Sequence, residues 1–206
     1  MITLYHSPFT RSHLIRFVLE ELALPHRIAP LDASRGEHKS PEYLRVNPLG
    51  QLPTLHDGDV RLCESAAIAL YLTDKVPEKR LAPPIGDPAR AAYYHWVVFS
   101  VATQLIALGK IGMHTMFLPE AARSPVIADD GRRQWAEVAP VLSGALEGKR
   151  YLLGDDFSTA DVMVGGSLWL ANLLGVLSPY PELSAYHGRV ADRPAFQKAF
   201  ADAVAR

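Results

Sequence analysis

Two neighbouring segments decide the predicted fold: Asn47-Pro48-Leu49-Gly50-Gln51-Leu52-Pro53-Thr54-Leu55, and Glu64-Ser65-Ala66-Ala67-Ile68. The first leads a turn into a short apolar strand through a Leu-Pro bond. The second opens a helix with an acid and a hydroxyl, where the first helical N–H groups have no partner within the helix. Such an end attracts a carboxylate through its free donors and the helix dipole. Together the two segments predict a binding wall for a peptide-like ligand.

The composition predicts a soluble globular protein of one large or two small domains. The 206 residues are 49% apolar and carry a formal net charge of −1. This charge gives no indication of binding to nucleic acid or to an anionic membrane. No apolar run approaches the ~20 residues of a membrane-spanning helix, so no membrane association is expected. The single cysteine excludes an intrachain disulfide framework, and the first five residues look like a strand rather than a signal sequence. A reducing cytoplasm is the expected location.

Residues 1–77 alternate between strand and helix patterns in the order βαβαββα. Asp57-Gly58-Asp59 has the chemistry of a hairpin turn between the last two strands. This order predicts a four-stranded mixed sheet with helices packed on it, the thioredoxin-like plan of an α/β domain. The predicted strands are 2–5, 27–31, 53–56 and 61–63. One predicted helix begins at Arg11, and the other two span 42–46 and 65–76.

Residues 78–87 are predicted to be a linker, because the stretch from Pro77 to Pro88 contains four prolines and one glycine. Beyond it, residues 88–206 show helical periodicity without strand signals, which predicts an all-helical second domain. Ser158-Thr159-Ala160-Asp161 predicts a capping box, with Asp in place of the usual Glu, in a structural role. The predicted helices are 89–116, 129–147, 159–175, 183–191 and 195–205.

These motifs resemble the cytosolic glutathione transferases, of a bacterial type similar to the phi-class and theta-class proteins that use serine or threonine. The proline segment and the string Glu37-His38-Lys39-Ser40-Pro41-Glu42 are especially similar to plant phi-class enzymes and bacterial relatives. The resemblance covers nearly the whole chain, with specific motifs in the first half and weaker ones in the second. It implies a glutathione S-transferase that conjugates the glutathione thiolate to a hydrophobic electrophile. It also implies a homodimer, in which the thioredoxin-like domain of one subunit meets the helical domain of the other.

The resemblance also implies which residues contact glutathione. An X-Pro bond is cis in only about 5–6% of cases in folded proteins, so the sequence alone favours a trans Leu52-Pro53 bond, whereas the resemblance implies cis. Leu52 would then pair its backbone N–H and C=O with the cysteinyl part, as an added strand does. Ser65 would donate to the γ-glutamyl carboxylate, and Glu64 would pair with the ammonium group. The remaining implied contacts are His38 and Lys39, which would meet the glycyl carboxylate, and Gln51.

Catalysis on glutathione needs a group that stabilises its thiolate, because the free thiol has a pKa close to ~8.5. The loop before the first helix offers three hydroxyls, on Ser7, Thr10 and Ser12. Aligned on the Leu-Tyr pair of the first strand, the resemblance places Thr10 at the catalytic serine of the phi class. The catalytic cysteine of the beta class falls on Arg11, which is either a contributor to the field at the thiolate or an ion-pair partner. Thr10 is therefore the predicted thiolate donor, with Ser12 and then Ser7 as alternatives, and with a plain N-cap as the alternative role for Thr10.

The second substrate is expected between the glutathione wall and the first long helix of the helical domain, since clefts at domain interfaces collect ligands. The residues in question are aromatic, methionine or histidine side chains that are equally compatible with a plain core. They are Tyr94, Phe99, Met113, His114, Met116 and Phe117. The identity of the electrophile does not follow from them.

Cysteine and histidine are given no catalytic or metal role. Cys63 precedes Glu64 on a predicted strand, where a small buried thiol is the ordinary expectation. The histidines show no metal-ligand spacing with cysteines or acids, so no metal site is expected. Two alternatives to conjugation stay open on the same fold: a glutathione-dependent disulfide or peroxide reductase, and a non-catalytic interaction module.

Overall fold

The computed structural model describes residues 1–204 and divides into two units by its internal contacts. The first unit comprises Met1–Leu81 and the chain from Arg193 onward, and the second comprises Ala82–Asp192. The domain boundaries expected at 77 and 88 stay a prediction. One difference is clear, because the last helix, expected in the helical domain, belongs by its contacts to the first unit. Ala205, predicted as the end of that helix, lies outside the described residues.

The first unit contains a mixed four-stranded sheet in the order β2-β1-β3-β4. Strand β1 runs parallel to β2 and antiparallel to β3, and β3 forms an antiparallel hairpin with β4 whose turn holds Gly58 at φ 60°. This confirms the predicted thioredoxin-like plan. The elements are β1 (Ile2–His6), α1 (Ser12–Glu21), β2 (His26–Pro30), α2 (Pro41–Leu44), β3 (Thr54–Asp57), β4 (Val60–Cys63) and α3 (Ser65–Lys75).

Helix α9 (Pro194–Val204) completes the core of the first unit by packing against α1. Phe196 and Phe200 stack on each other with ring centroids 4.2 Å apart, and Phe196 meets Phe17 of α1 edge-on at 5.5 Å. Phe17 is fully buried, so the three rings join the end of the chain to its first helix. Aromatic pairs in these geometries add stabilisation beyond their burial.

The second unit is helical throughout its regular elements, which confirms the all-α prediction. Helix α7 lies at its centre and is buried along most of its length, as expected for a helix that is apolar on all sides. The capping box predicted at its start is present between Ser158 and Asp161. The helices are α4 (Ala89–Phe99), α5 (Leu105–Gly112), α6 (Pro125–Ala145), α7 (Thr159–Leu173) and α8 (Pro181–Ala191), with π-helical segments at Ser100–Gln104 and Met113–Phe117.

The helical stretch Ala89–Phe117 contradicts the expectation that no apolar segment is long enough to span a membrane. It has 29 residues and an 18-residue window of mean hydropathy 1.5, because charged residues are almost absent from its second half. In the fold, 44% of that window is buried inside the protein. Ser100 donates to the carbonyl of Met163 at 2.9 Å and Gln104 to that of Val164 at 3.1 Å, so these two polar side chains face α7. A buried core helix has the same length and composition, so this stretch is only a weak indication of a membrane.

Two glycines of α6 provide a matched test of packing in the second unit. A Cβ at Gly131 would lie 2.9 Å from the carbonyl oxygen of Ala107 in α5, whereas a Cβ at Gly144 would meet nothing within 4 Å. We expect Gly131→Ala to lower the free energy of unfolding by about 1–3 kcal/mol through overpacking. Gly144→Ala should raise it by about 0.5–1 kcal/mol, because alanine is the better helix former. Denaturant titration of both variants checks the pair, and equal effects would contradict the close approach of α5 and α6.

Candidate functional site

The chain before Pro53 is held in place by two buried polar side chains. The Leu52-Pro53 bond is cis. The carbonyl of Gln51 accepts hydrogen bonds from the Tyr43 hydroxyl at 2.7 Å and from the Asn47 amide at 3.0 Å. The same two donors approach the Thr54 hydroxyl at 2.9 and 3.3 Å. Tyr43 and Asn47 therefore hold the Gln51 carbonyl before Leu52 and the Thr54 side chain after it. Sequence reasoning missed this supporting role, although Asn47 begins the segment.

The proline segment and the start of α3 line one depression in the first unit. It encloses about 300 Å³ of space open to solvent. The structure thus brings together the predicted residues Gln51–Pro53 and Glu64–Ser65, which are eleven or more positions apart in sequence. The lining residues are Arg11, Asn47, Leu49, Gln51, Leu52, Pro53, Cys63, Glu64 and Ser65.

The start of α3 presents an acid and a hydroxyl in an unusual backbone conformation. Glu64, at the N-cap, has φ 84° and ψ 109°, a region that residues other than glycine rarely occupy. Its side chain is exposed, while Ser65 is buried at 3% exposure. The first intrahelical bond runs from Ile68 N–H to the Glu64 carbonyl at 2.9 Å, so the preceding N–H groups lie at the positive end of the helix dipole. Strained positions of this kind cluster at binding sites.

The predicted basic pair lies beside the proline segment but does not line the depression. His38 and Lys39 end a short 3-10 turn, and the Lys39 ammonium donates to the Leu49 carbonyl at 2.8 Å. Gly50 has φ 56°, and a Cβ there would lie 2.6 Å from the His38 carbonyl oxygen, so only glycine permits this approach. The buried Nδ1 of His38 has no hydrogen-bond partner among the described residues.

Of the three hydroxyls near the start of α1, Thr10 is the one that is partly exposed. The Thr10 hydroxyl donates to the Ser7 carbonyl at 2.8 Å and lies 2.6 Å from Ser12 Oγ. Ser12 is completely buried, and the Ser7 hydroxyl is buried and accepts from Ala33 N–H at 3.1 Å. Thr10 itself does not line the depression, although it precedes Arg11, which does. The N-cap position of α1 is Arg11, and the Thr10 hydroxyl accepts from the N–H of Ser12, the first helical residue, at 3.3 Å.

A partly buried cluster behind this loop joins β1, α1 and α9, with its two histidines buried and Asp202 38% exposed at its side chain. His6 Nδ1 lies 2.8 Å from Ser12 Oγ, and His6 Nε2 lies 2.9 Å from Asp202 Oδ2. His13 Nε2 lies 2.9 Å from the other oxygen of Asp202, and Arg16 donates to Oδ2 at 3.1 Å. Sequence reasoning missed this cluster because Asp202 is 189 positions from His13.

The charges of the cluster follow from burial and from these contacts. Desolvation lowers the pKa of His6, although Asp202 opposes the shift, and it lowers the pKa of His13 to about 4. Desolvation alone would raise the pKa of Asp202, but the hydrogen bonds and charges of the two imidazoles outweigh it and lower the pKa to about 2. At neutral pH the cluster therefore holds an ionised carboxylate, two neutral imidazoles and the Arg16 guanidinium.

The same cluster is compact enough to be considered for a metal, against the expectation from sequence spacing. Donor atoms of His6, His13 and Asp202 all lie within 4.8 Å of one another. Arg16 donates into the same carboxylate, however, and its fixed positive charge opposes a cation at that point. Both imidazoles also face the carboxylate at hydrogen-bond distance, so we interpret the group as a hydrogen-bonded cluster.

The expectation that Cys63 is buried is wrong. Its side chain is exposed and lines the depression, because β4 is an edge strand of the sheet and Cys63 is its last residue. Arg11 is also exposed and lines the depression, and no ion pair among the described residues involves it. Between its two predicted roles, the structure therefore offers no support for the ion-pair partner.

The candidate electrophile residues all lie in the second unit, on the stretch Ala89–Phe117. His114 accepts a hydrogen bond from Ser124 N–H at 3.1 Å, which fits a structural role, and Phe99 joins an aromatic cluster with His95 and Trp96. Tyr94 is exposed at its ring and accepts from Arg90 at 2.6 Å. The others form an exposed apolar set: Met113, Met116 and Phe117.

Comparison with known proteins identifies the family. The family descriptions "Glutathione S-transferase, N-terminal domain" and "Glutathione S-transferase, C-terminal domain" match residues 1–74 and 107–194. A probable glutathione S-transferase GSTF2 from Oryza sativa subsp. japonica is 34% identical over 188 residues, which cover 88% of this chain and 86% of that protein. The chain therefore belongs to the glutathione S-transferase family, as its motifs predicted.

Two further comparisons bear on the chemistry of the family. The disulfide-bond oxidoreductase YfcG of Escherichia coli strain K12 is 28% identical over 204 residues, covering 95% of this chain and 92% of that protein. The solved structure of a sphingomonad glutathione S-transferase complexed with glutathione is 28% identical with a TM-score of 0.86, covering 99% of this chain and 100% of the other. Members of similar identity to this chain thus carry names for different reactions.

Proposed function

We propose that the protein binds glutathione in the depression of its first unit and conjugates it, through the sulfur of its thiolate, to an electrophilic small molecule. The observation that carries the proposal is the convergence of Leu52, before its cis proline, with Glu64 and Ser65 at the start of α3. A backbone edge and a positive helix end are the complementary groups for a peptide with a free carboxylate. The glutathione bound in the sphingomonad relative supports the same ligand here.

Each end of glutathione is assigned to its own set of residues. The Leu52 backbone pairs with the cysteinyl part, the Ser65 hydroxyl and the start of α3 hold the γ-glutamyl carboxylate, and Glu64 pairs with the ammonium group. Charge-assisted hydrogen bonds of this type are about twice as strong as neutral ones. At the other end, His38 and Lys39 are assigned to the glycyl carboxylate, for which Lys39 has to release the Leu49 carbonyl. Gln51 is proposed as a further contact of glutathione.

Thr10 is the proposed donor to the thiolate, because it is the partly exposed hydroxyl of its loop. We expect Thr10→Ala to raise the thiol pKa of bound glutathione toward its free value and to leave the affinity nearly unchanged. Thr10→Ser keeps a hydroxyl and serves as the matched control, with a pKa close to that of the wild type. Ultraviolet titration of the bound thiolate makes the measurement. An unchanged titration in Thr10→Ala would move the role to Ser12 or Ser7.

The second substrate is proposed to be a hydrophobic electrophile that contacts the exposed apolar side chains of the second unit. Tyr94, Met113 and Phe117 carry this assignment by their exposure, whereas Phe99 and His114 have partners within the unit. No metal takes part in the proposed reaction. A homodimer and a cytoplasmic location belong to the same proposal, and light scattering of the purified protein tests the dimer.

The alternative is a glutathione-dependent disulfide or peroxide reductase, favoured by the similarity to the Escherichia coli oxidoreductase. Turnover on a halo-nitroarene and on a small disulfide, each with glutathione, separates the two. Conjugation predicts loss of the halide with the first substrate and little reduction of the second, and the reverse result would replace the main proposal. A chain that turns over neither and does not bind glutathione would be the non-catalytic interaction module.

A further inference from the structure

The protons of the cluster of His6, His13, Arg16 and Asp202 can be placed from its hydrogen bonds. Asp202 is ionised and accepts from its neighbours, so the Nε2 of His6, 2.9 Å away, must carry a proton. A neutral imidazole has one protonated nitrogen, so His6 Nδ1 is an acceptor. The Ser12 hydroxyl lies 2.8 Å from that nitrogen and 3.2 Å from the Ser7 carbonyl, and we assign its proton to the shorter contact, toward His6.

The direction of the Thr10 hydroxyl follows from the same count. Ser12 has one hydroxyl proton, which it gives to His6, so in its 2.6 Å contact with Thr10 it can only accept. The carbonyl of Ser7 at 2.8 Å also only accepts from the Thr10 hydroxyl, whereas the Ser12 N–H donates to Thr10 Oγ1 at 3.3 Å. In either case the Thr10 proton points into the protein, and beside the bond that its oxygen accepts from the Ser12 N–H one lone pair is left for the ligand. In this state Thr10 accepts a hydrogen bond from a thiol, but it cannot donate to a thiolate.

On the basis of the proposed function, we propose that His6 takes up the proton of the glutathione thiol through the hydroxyls of Thr10 and Ser12, and that Asp202 holds the resulting imidazolium. The thiol proton passes to Thr10 Oγ1, the Thr10 proton to Ser12 Oγ, and the Ser12 proton to His6 Nδ1. One S–H and two O–H bonds break, and two O–H bonds and one N–H bond form. Each hydrogen bond along this route is then reversed in direction, so Thr10 donates to the new thiolate.

The surroundings of His6 suit a transient proton acceptor. His6 is 2% exposed and Ser12 is fully buried, so the two hydroxyls replace bulk water as the route. Asp202 of α9 stabilises the imidazolium through a direct hydrogen bond, whereas burial and the charge of Arg16 of α1 lower the pKa of His6 and limit how long the proton stays. His6 stands neutral at neutral pH and is ready to accept. It does not touch the substrate, so it acts through Ser12 and Thr10, and its position is set by Asp202.

The test measures the rate at which the bound thiolate forms, by stopped-flow ultraviolet absorbance after the protein is mixed with glutathione. His6→Asn keeps a side-chain oxygen that can accept from Ser12 but has no basic nitrogen, and Ser12→Ala breaks the chain while His6 stays. We expect each to slow thiolate formation by about 10²-fold, the lower range for general acid–base catalysis. His13→Asn is the matched control, because His13 binds the same carboxylate through Nε2 but lies outside the proposed route. Its rate should stay close to that of the wild type.

Heavy water provides the second readout, which a purely structural role of His6 would not change. The rate of thiolate formation is plotted against the fraction of heavy water in the solvent. The plot should be curved for the wild type, because three protons move together, and straight or flat for His6→Asn. Circular dichroism shows whether each variant is folded. If His6→Asn does not fold, the rate of Ser12→Ala decides whether the proton route is correct. A wild-type rate in both variants would overturn the proton route alone. Failure of the wild type to bind glutathione would overturn the proposed function and the route together.

Discussion

Asp161→Ala is expected to cause the largest loss of stability in the chain, about 3–5 kcal/mol in the free energy of unfolding, because it breaks a buried charged network. Asp161 is completely buried at the start of α7 and accepts four hydrogen bonds. The donors are the Leu152 and Ser158 N–H groups at 2.9 Å each, and the Ser158 and Tyr186 hydroxyls at 2.8 Å each. Burial raises the pKa of Asp161, and the four donors oppose that rise.

The loss is large because the donors stay behind. Alanine removes the acceptor and leaves buried N–H and O–H groups without a partner, each at a cost of about 1–3 kcal/mol. Asp155→Ala, at an exposed acid in the loop before the same helix, is the matched control and should change stability little. Denaturant unfolding of the two variants makes the comparison. A loss of stability in Asp161→Ala no larger than that in Asp155→Ala would contradict the structural role of the capping box.

Ser65→Ala is expected to weaken glutathione binding by about 10-fold to 150-fold, which corresponds to the 1.5–3 kcal/mol of a hydrogen bond to a charged group. Ser65 is nearly buried and lines the depression at the first position of α3, where its hydroxyl and the helix dipole act on the same carboxylate. Alanine at that position retains the helix and removes only the donor. Isothermal titration calorimetry with glutathione measures the change.

Thr73→Val is the control for Ser65→Ala, because it removes a buried hydroxyl from the same helix far from the depression. The Thr73 hydroxyl donates to the Ala69 carbonyl at 2.8 Å near the end of α3. The affinity of the Thr73→Val variant for glutathione should equal that of the wild type even if some stability is lost. Equal affinities for all three proteins would remove the start of α3 from the proposed site.

The sequence was sufficient where the deciding contacts are local. Glu64 and Ser65 follow a strand and open a helix, so their place at a helix start is set by their neighbours. The same holds for the capping box of Ser158 and Asp161. The order of strands and helices in residues 1–77 was likewise predicted, because hydrophobic periodicity is a short-range signal.

The rest depends on contacts between distant parts of the chain. The cluster of His6 and Asp202 spans 196 positions and forms only because α9 returns to pack on α1. Cys63 is exposed because β4 is an edge strand, and strand order is not encoded in any one segment. The inward direction of the Thr10 hydroxyl follows from the protonation of His6, which a motif comparison does not contain.

The central claim is that the depression of the first unit binds glutathione and favours its thiolate. The most direct test is an ultraviolet difference titration of glutathione bound to the protein, in which thiolate absorbance is followed against pH. The account predicts saturable binding and a bound thiol pKa well below the ~8.5 of a free thiol. Binding without a shift in pKa, or no binding at all, would contradict it.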